Sequence, residues 1–345
     1  MPNSASNTSI SPVSHHSGTF TKPVSLVALT LQNTLSILLL RYVRTIPAPR
    51  FIKSTAVIIS EVQKTILSLF LVINEERNIA AAFKLIYNKI ICQPYDTFET
   101  GIPALLYTLQ NNLVFVAISN LDAATFQVSY KLKIFTTAIL MVIILRRQLS
   151  FVQWLALFLL FIGIALVQIE NMTSTTAKQD VNAVHGLLAV VTGCTLSGLA
   201  GVYFEKILKS NDVSVWICNI QLGIFGIIFG TITMYLSDGP EVKEKGFLYG
   251  YTNMVWTATL VQSVGGLIVA LVVKHADNIL KSFATSAAIL LSCIVSIVLF
   301  DFQLTLLFTL GAALVIFSIF LYSKPELILL VPIVNVVFKD KSVLF

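Results

Sequence analysis

The sequence predicts an all-α membrane protein with ten transmembrane helices. Hydrophobic residues make up 56% of the 345 residues and charged residues only 12%, and the mean hydropathy is +0.85. Soluble domains carry about a quarter charged residues, so this composition is typical of a polytopic membrane protein. Ten apolar runs occur along the chain, each close to one bilayer thickness, and a lipid-exposed run of that length must be helical.

The ten runs follow one another with short polar connections. Only residues 120–122 separate the third run from the fourth, and only Asp301 and its neighbours separate the ninth from the tenth. The apolar stretch Leu327–Phe338 is short for a span, so we expect a tail on the membrane surface, with an eleventh span as the alternative. The predicted spans are residues 23–41, 52–74, 102–120, 124–145, 151–169, 184–205, 214–235, 252–273, 279–299 and 303–322.

A hydrophilic break at residues 170–183 divides the spans into five plus five. Because five is odd, two similar halves would cross the membrane in opposite directions, which is a common transporter architecture with its site at the midplane. Leu132-Lys133 in span four and Leu280-Lys281 in span nine echo each other weakly. The predicted organisation is an N-terminal tail (1–22), a first five-helix half (23–169), a linker (170–183), a second five-helix half (184–322) and a C-terminal tail (323–345).

The distribution of basic residues predicts that both termini are cytosolic. An even number of spans puts the termini on one side, and that side holds twelve Lys and Arg residues against seven on the other. The first loop opposes this bias, since it holds four of the seven. The first 20 residues contain no apolar signal-peptide core, so we expect the first span to insert uncleaved. The sequon at Asn171 lies on the predicted lumenal side and is a glycosylation candidate.

Several classes of function lack support in the sequence. It contains no Ser/His/Asp set, no metal-spaced cluster and no P-loop, so we predict neither an enzyme nor a cofactor or metal site. The net charge of +6 is scattered without a basic run, which argues against nucleic-acid binding. The four cysteines have no metal-ligand spacing and are interpreted as small apolar residues.

Charged residues inside the predicted spans require a structural or functional explanation, because placing each one there costs at least ~2.5 kcal/mol of insertion free energy. Glu61 and Lys64 are three residues apart on one helix and can neutralise each other, or else contact a substrate or bias a gate. Lys133 lies midway along its span and Lys281 near the start of its own, and neither has an acidic residue one turn away within its predicted span. Snorkelling is the alternative for Lys281. An anionic ligand between the two halves would satisfy both lysines, and two positive charges suit a diphosphate.

Polar stripes accompany these lysines on three spans. Aromatic rings beside amides would give a nucleobase a stacking plane and hydrogen bonds, and interhelical hydrogen bonding is the alternative role for the amides. The stripes are Phe126, Tyr130, Lys133 and Thr137 on span four, Tyr107, Gln110 and Asn111 on span three, and Asn278, Lys281 and Thr285 on span nine. Small residues at four-residue spacing are interpreted as helix-packing positions: Gly193, Ser197 and Gly201 on span six, and Gly226 and Gly230 on span seven.

Several ordered motifs closely resemble the Golgi nucleotide-sugar transporters, in the branch that holds the UDP-galactose, UDP-N-acetylglucosamine and CMP-sialic acid transporters. The likeness covers roughly residues 24–322. The motifs are Leu-Gln-Asn-Asn at 109–112, Ser-Asn-Leu-Asp-Ala-Ala-Thr-Phe-Gln at 119–127, Leu-Lys-Ile at 132–134, Arg-Arg-Gln-Leu-Ser at 146–150, Ser-Gly-Leu-Ala-Gly-Val-Tyr-Phe-Glu-Lys at 197–206, Asn-Ile-Gln at 219–221 and Asp-Asn-Ile-Leu-Lys at 277–281.

The resemblance implies ten helices of the drug/metabolite transporter fold and exchange of a nucleotide-sugar for a nucleoside monophosphate. By motif matching, Lys133 and Lys281 resemble phosphate-binding lysines, and Glu61 with Lys64 resembles a charged pair near the sugar. Tyr107, Asn111, Ser197 and Asn219 resemble cavity residues. The predicted substrate-binding set is Lys133, Lys281, Tyr107, Asn111, Gln110, Phe126, Tyr130, Ser197, Asn219, Gly223, Asn278, Glu61 and Lys64.

Departures from the family pattern favour the UDP-sugar branch. Phe126 and Gly223 stand where the sialic-acid branch has Tyr, and Phe225 where it has Ser. Lys131 replaces a usual Gln and Cys218 a usual Arg, which puts the role of that Arg in doubt. Lys131 is two residues from Lys133, so we expect its side chain to point away from it.

The predicted function is therefore a UDP-sugar antiporter of the Golgi membrane. It would import UDP-galactose, UDP-N-acetylglucosamine or both, with UDP-N-acetylgalactosamine also considered, in exchange for UMP by alternating access. The alternatives are a CMP-sialic acid/CMP exchanger, a small-metabolite exporter of the same fold and a non-transporting membrane scaffold. The expected partners are the UDP-sugar, UMP and the lipid bilayer, and a homodimer is also considered.

Overall fold

Helices account for nearly all of the regular structure. The computed structural model describes residues 18–45, 50–121, 123–170, 183–210, 214–300 and 306–323, and this part of the chain contains twelve helices and no strand. They are α1 Gly18–Thr45, α2 Lys53–Glu76, α3 Ile79–Ile90, α4 Pro94–Asn120, α5 Ala123–Tyr130, α6 Lys133–Leu145, α7 Phe151–Glu170, α8 Ala183–Ser210, α9 Val215–Lys245, α10 Asn253–His275, α11 Asn278–Phe300 and α12 Leu306–Ser323.

The predicted multi-pass architecture is confirmed. Within the described residues, nine stretches are long and apolar enough to cross a membrane, and a shorter apolar helix covers Phe151–Val167. These ten segments correspond one to one with the ten predicted spans. The predicted linker is described only at its two ends, and Asn171 and Leu327–Phe338 lie outside the described residues.

The fourth predicted span is wrong as a single continuous helix. It consists of α5 and α6, joined by a tight turn at Lys131 and Leu132. The turn is closed by hydrogen bonds to the third preceding residue, from Lys131 N to Val128 O (3.1 Å) and from Ile134 N to Lys131 O (3.0 Å). This tighter winding interrupts the α-helical ladder, and such interruptions often mark functional positions. Lys133 therefore begins α6 and does not lie within an unbroken helix.

Two other helices differ from the sequence-based boundaries. The connection between the second and third spans contains the short helix α3, which the span pattern did not predict, and α4 begins eight residues before the predicted span. α9 continues ten residues past its predicted end, through Pro240. The start of α4 and the end of α9 are boundary differences, and at both ends polar residues continue the helix beyond its apolar part.

The helices pack in a pattern with internal symmetry. The main pairs are α4 with α8, α1 with α10, α6 with α8, α1 with α11, α4 with α9, α2 with α10, α2 with α9 and α7 with α12. Exchanging α1 with α8, α2 with α9, α4 with α10, α5 and α6 with α11, and α7 with α12 turns every pair into another pair of the set. Two similar five-span units related by a pseudo-two-fold axis produce this pairing.

Close backbone contact holds the last spans of the two units together. A Cβ atom placed on Gly163 of α7 would lie 2.9 Å from the carbonyl oxygen of Gly311 on α12, and one on Gly311 would lie 2.7 Å from the carbonyl oxygen of Gly163. Small residues permit this approach, which in lipid supplies much of the packing energy between helices. The largest apolar cluster lies around this contact and includes Met141, Leu160 and Phe308.

Candidate functional site

The turn between α5 and α6 presents Lys133 to a ring of aromatic and amide side chains. The Lys133 ammonium lies 5.1 Å from the centre of the Tyr130 ring, within range of a cation–π interaction. The Tyr130 hydroxyl accepts a hydrogen bond from the Gln110 amide of α4 (2.7 Å), and Phe126 stacks on the Tyr130 ring with centroids 5.4 Å apart. The predicted stripes of the third and fourth spans therefore meet.

Lys281 occupies the equivalent position on α11, in its first turn. Its ammonium donates to Asn278 Oδ1 at 2.6 Å, and the Asn278 amide donates to Gly201 O (2.6 Å) and Glu205 Oε2 (2.8 Å) of α8. Gly201 permits this contact, because a Cβ atom there would lie 3.0 Å from Asn278 Oδ1. The predicted association of Asn278 with Lys281 on one face is present, and α8 supplies its other wall.

The two lysines lie one on each unit, at the starts of α6 and α11. Within the described residues neither takes part in an ion pair, since Glu205 is paired with Lys209. A ring face and an amide oxygen stabilise an ammonium group but do not cancel its charge. The cluster therefore offers two amino groups without an ion-pair partner, one from each unit, which suits an anion with two negative charges.

A network of ion pairs fastens the same end of the two units. Arg147, in the connection between α6 and α7, donates to Asp277 Oδ2 at 2.7 Å, and Asp277 Oδ1 accepts from the Leu280 amide and caps α11. The Lys209 ammonium donates hydrogen bonds to Glu205 Oε1 (2.7 Å) and to the Ala276 carbonyl oxygen (2.6 Å). Partial burial would lower the pKa of the Arg147 guanidinium, but the Asp277 carboxylate outweighs it and the pKa is raised. We call these contacts the latch.

A cavity of about 1060 Å³ opens at the opposite end of the helices. It is large enough for a ligand of drug size, for which about 300–1,000 Å³ is usual. It runs from Arg50 and Lys53, both exposed, to Lys64 in the middle of α2, a depth of about 16 Å along the helix. Its polar lining is drawn from α1, α2, α4 and α10 and includes Gln32, Asn33, Glu61, Asn111, Gln262 and Ser263.

Glu61 and Lys64 form the predicted ion pair at the inner part of this cavity. Lys64 is 7% exposed, and two glycines make room for the pair. A Cβ atom on Gly226 of α9 would lie 2.7 Å from Glu61 Oε2, and one on Gly266 of α10 would lie 2.9 Å from Lys64 Cδ. The pair therefore satisfies its own charge and also presents polar atoms to the cavity.

Tyr107, Asn111 and Ser197 lie near these features. Asn111 lines the cavity and accepts a hydrogen bond from Gln110 (3.3 Å), so it connects the cavity with the lysine cluster. A Cβ atom on Gly201 would lie 3.5 Å from the Tyr107 hydroxyl, and Ser197 lies within hydrogen-bonding reach of Tyr130.

Two predicted site residues, Asn219 and Gly223, belong neither to the cavity lining nor to the contacts around the two lysines. Asn219 is 1% exposed and donates to the Val215 carbonyl oxygen of its own helix (2.9 Å). Gly223 is buried where α9 crosses α2, and a Cβ atom there would overlap Thr65 Oγ1. Both therefore serve helix packing in this conformation, and a tyrosine side chain in place of Gly223 would not fit against Thr65.

The sequence reasoning did not assign the latch or most of the cavity lining. Glu205 and Asp277 are the deeply buried carboxylates of the latch, at 0% and 1% exposure. The sequence did carry a signal for the two carboxylates themselves, because both lie at the end of an apolar run and Glu205 is four residues before Lys209 on the same helix. Gln32 and Gln262 gave a weaker signal, since isolated amides in apolar helices are also common packing residues.

Comparison with known proteins identifies the family. The family model described as nucleotide-sugar transporter matches residues 17–323. The UDP-galactose translocator of Mus musculus is 49% identical over 307 residues, covering 88% of this chain and 79% of that protein. The UDP-galactose/UDP-N-acetylglucosamine transporter of Caenorhabditis elegans is 49% identical over 309 residues, covering 88% and 83%. The UDP-N-acetylglucosamine transporter of Mus musculus is 46% identical over 308 residues, covering 87% and 94%.

The fold also occurs in a solved structure. A crystal structure of another protein superposes with a TM-score of 0.62 over 88% of this chain and 98% of that one, at 12% identity, which supports the fold alone. The family consists of transporters, in agreement with the prediction that the chain is not an enzyme. With the family model covering nearly all of the membrane part and relatives close to half identical, the chain belongs to the nucleotide-sugar transporter family.

Proposed function

We propose that this chain is an antiporter that imports a UDP-sugar into the Golgi lumen in exchange for UMP. UDP-galactose and UDP-N-acetylglucosamine are the proposed cargoes, and UDP-N-acetylgalactosamine is a third to test. The relatives named above support the UDP-sugar class. The observation that carries the proposal is the pair of uncompensated lysines, Lys133 and Lys281, at corresponding helix starts of the two units.

Charge matching explains why both exchange partners would use the same site. The diphosphate of a nucleotide-sugar carries two negative charges near neutral pH, and a phosphate monoester such as UMP carries about 1.5 to 2. Each would neutralise the two lysines. The empty carrier would hold two repelling ammonium groups between its units, which opposes closure around an empty site and favours exchange over one-way transport.

The remaining site residues form two groups, one for each end of the ligand. The stacked rings of Phe126 and Tyr130, with Asn111 beside them, offer a plane and an amide to the uracil base. Glu61 and Lys64, farther along the cavity, offer a carboxylate and an ammonium to the sugar hydroxyl groups. Gln110 and Ser197 support the Tyr130 ring of the first end, and the Tyr107 hydroxyl lies near Gly201.

Alternating access is the proposed mechanism. The latch closes the end that holds Arg147 and Asp277, while the cavity opens at the end that holds Arg50 and Lys53. Rocking of residues 23–169 against residues 184–322 would break the latch and close the cavity mouth. The proposed orientation has both termini in the cytosol, as the distribution of basic residues favours, so the latch would be cytosolic and the cavity lumenal.

Uptake into proteoliposomes tests the proposal. Purified protein is reconstituted with internal UMP, and labelled UDP-galactose, UDP-N-acetylglucosamine, UDP-N-acetylgalactosamine and CMP-sialic acid are offered in parallel. The proposal predicts uptake of at least one UDP-sugar and none of CMP-sialic acid above protein-free liposomes. Uptake of CMP-sialic acid alone, or of no nucleotide-sugar, contradicts it.

A further inference from the structure

The short helix α3 has an exposed apolar face that neither the lysine cluster nor the cavity uses. Ile79, Phe83, Tyr87 and Ile91 recur every four residues from the start of α3 to its end, and their exposed fractions are 63%, 53%, 57% and 60%. Four large apolar side chains in one row are a contiguous patch, and such a patch marks a contact with another apolar phase.

The neighbouring face of α3 is already occupied by the protein. Ala82 is fully buried, and Leu85 and Ile86 pack with it against Val72 of α2 and Ile217 of α9. The exposed apolar row therefore lies beside the protein-facing side and points outward from the bundle.

Hydrogen bonds hold the orientation of α3 relative to the spans. Asn78 caps its first turn by accepting from Ala80 N at 2.9 Å, immediately after α2 ends. At the other end, the buried Gln221 amide of α9 donates to Lys89 O (3.3 Å) and Thr97 Oγ1 (3.0 Å). The row is therefore a fixed surface, and the preceding helix α2 also has exposed apolar side chains, among them Phe70 at 65%.

Basic residues lie along α3 and just before its start. Arg77 and Lys84 are exposed, Lys89 is partly exposed, and α3 itself contains no acidic residue. The nearest acidic residues on the preceding helix are Glu75, which accepts a hydrogen bond from Ser214 (3.1 Å), and Glu76. With 12 residues, α3 is about 18 Å long, too short to cross a bilayer.

We propose that α3 lies in the membrane interface, with Ile79, Phe83 and Tyr87 among the lipid chains and with Arg77 and Lys84 binding anionic phospholipid headgroups. A short helix with an apolar face, aromatic side chains and a basic edge is suited to this depth. Each basic residue near an anionic membrane surface contributes about 1 kcal/mol, or about fivefold in affinity.

Tryptophan quenching in reconstituted full-length protein tests the depth of α3. The variant Phe83→Trp is compared with the parent protein, so that the signal of the three native tryptophans is subtracted. Lipids brominated in the upper acyl chain should quench the added tryptophan, and aqueous acrylamide should quench it weakly. Strong quenching by acrylamide with none by brominated lipid would overturn the proposal.

The same reporter tests the headgroup preference. In mixed vesicles, brominated phosphatidylserine should quench the added tryptophan more strongly than brominated phosphatidylcholine at equal mole fraction. Adding Arg77→Gln and Lys84→Gln should remove the difference, whereas Lys206→Gln, at an exposed lysine of α8, should preserve it. Equal quenching by both lipids before the charge changes, or the same loss with Lys206→Gln, would contradict binding of anionic headgroups at α3.

Discussion

Lys133 and Lys281 show how an ammonium group can be held inside a membrane protein without a carboxylate. Lys133 faces an aromatic ring and Lys281 an amide oxygen, and both partners are tied to neighbouring helices by hydrogen bonds. These contacts orient the lysines while leaving their charge available to a ligand. An ion pair of the Glu61–Lys64 kind would instead neutralise the charge within the protein.

Replacing either lysine by Met should abolish most of the transport. Met keeps the length of the side chain and removes a hydrogen bond to a charged phosphate, which contributes about 1.5–3 kcal/mol, or roughly 10- to 150-fold in binding. We expect uptake of UDP-sugar by Lys133→Met and by Lys281→Met to fall at least tenfold. Lys131→Met is the matched control, and its uptake should stay within twofold; a comparable loss in Lys131→Met would show that the effect is not specific to the two lysines.

Gly226→Ala should separate recognition of the sugar from recognition of the nucleotide. The added methyl group would displace the Glu61 carboxylate, because the Cβ atom would lie 2.7 Å from Oε2. If Glu61 contacts the sugar that is attached to the diphosphate, uptake of the UDP-sugar should fall severalfold. Uptake of UMP, which has no sugar beyond its ribose, should change less than twofold. Gly230→Ala is the control on the same helix, since its Cβ atom would lie 3.3 Å from Ile58 Cγ1. Equal losses for both ligands would argue against a sugar contact.

At the scale of single elements, the site depends on two helix starts. The sequence pattern identified the residues of both stripes, because polar side chains at helical spacing are visible in an apolar run. It did not identify the turn at Lys131 and Leu132, since neither is a proline or glycine and the apolar run continues through it. Tertiary contacts decide the turn: the Thr136 hydroxyl, just after it, donates to the Cys194 carbonyl oxygen of α8 at 2.9 Å.

The contact between α7 and α12 should be sensitive to a single methyl group. In Gly311→Ala the Cβ atom would lie 2.7 Å from a backbone oxygen, which cannot move without moving the helix. We expect a loss of about 1–3 kcal/mol, as for other overpacked interiors, and a lower unfolding temperature in detergent. Gly193→Ala, whose Cβ atom would find Leu113 at 3.7 Å, should leave the unfolding temperature unchanged. An equally stable Gly311→Ala would show that the two helices separate readily.

At the scale of the whole molecule, the ten spans follow from the hydrophobic pattern. The pattern does not show which end of the helices the latch closes and at which end the cavity opens. Span number depends on apolar length, which is local. The latch joins Arg147 to Asp277 across 130 positions, and single-sequence patterns carry no signal for that pairing. Asn219 and Gly223 were assigned to the site by resemblance to family motifs, which does not show which way a helix face is turned, and at those positions their helix packs within the protein.

Breaking the latch should open the closed end more often. Arg147→Gln removes the ion pair while leaving the Asp277 cap of α11 in place. With Arg147 partly exposed, we expect a cost of about 1 kcal/mol, or about a fivefold shift in population. A cysteine introduced by Ser282→Cys, just beyond the latch, should then react severalfold faster with a membrane-impermeant maleimide. Lys245→Gln, which breaks an exposed ion pair with Glu241 elsewhere, should not change that rate; an unchanged rate in Arg147→Gln would contradict a gating role.

The most direct measurement of the central claim is trans-stimulation in sealed proteoliposomes. The initial rate of labelled UDP-galactose and UDP-N-acetylglucosamine uptake is compared between vesicles loaded with UMP, vesicles loaded with CMP and empty vesicles. The account predicts rapid uptake of at least one UDP-sugar only with internal UMP, together with release of UMP in equal amount. Uptake at the same rate into empty vesicles, or uptake without release of UMP, would contradict exchange at the pair of lysines.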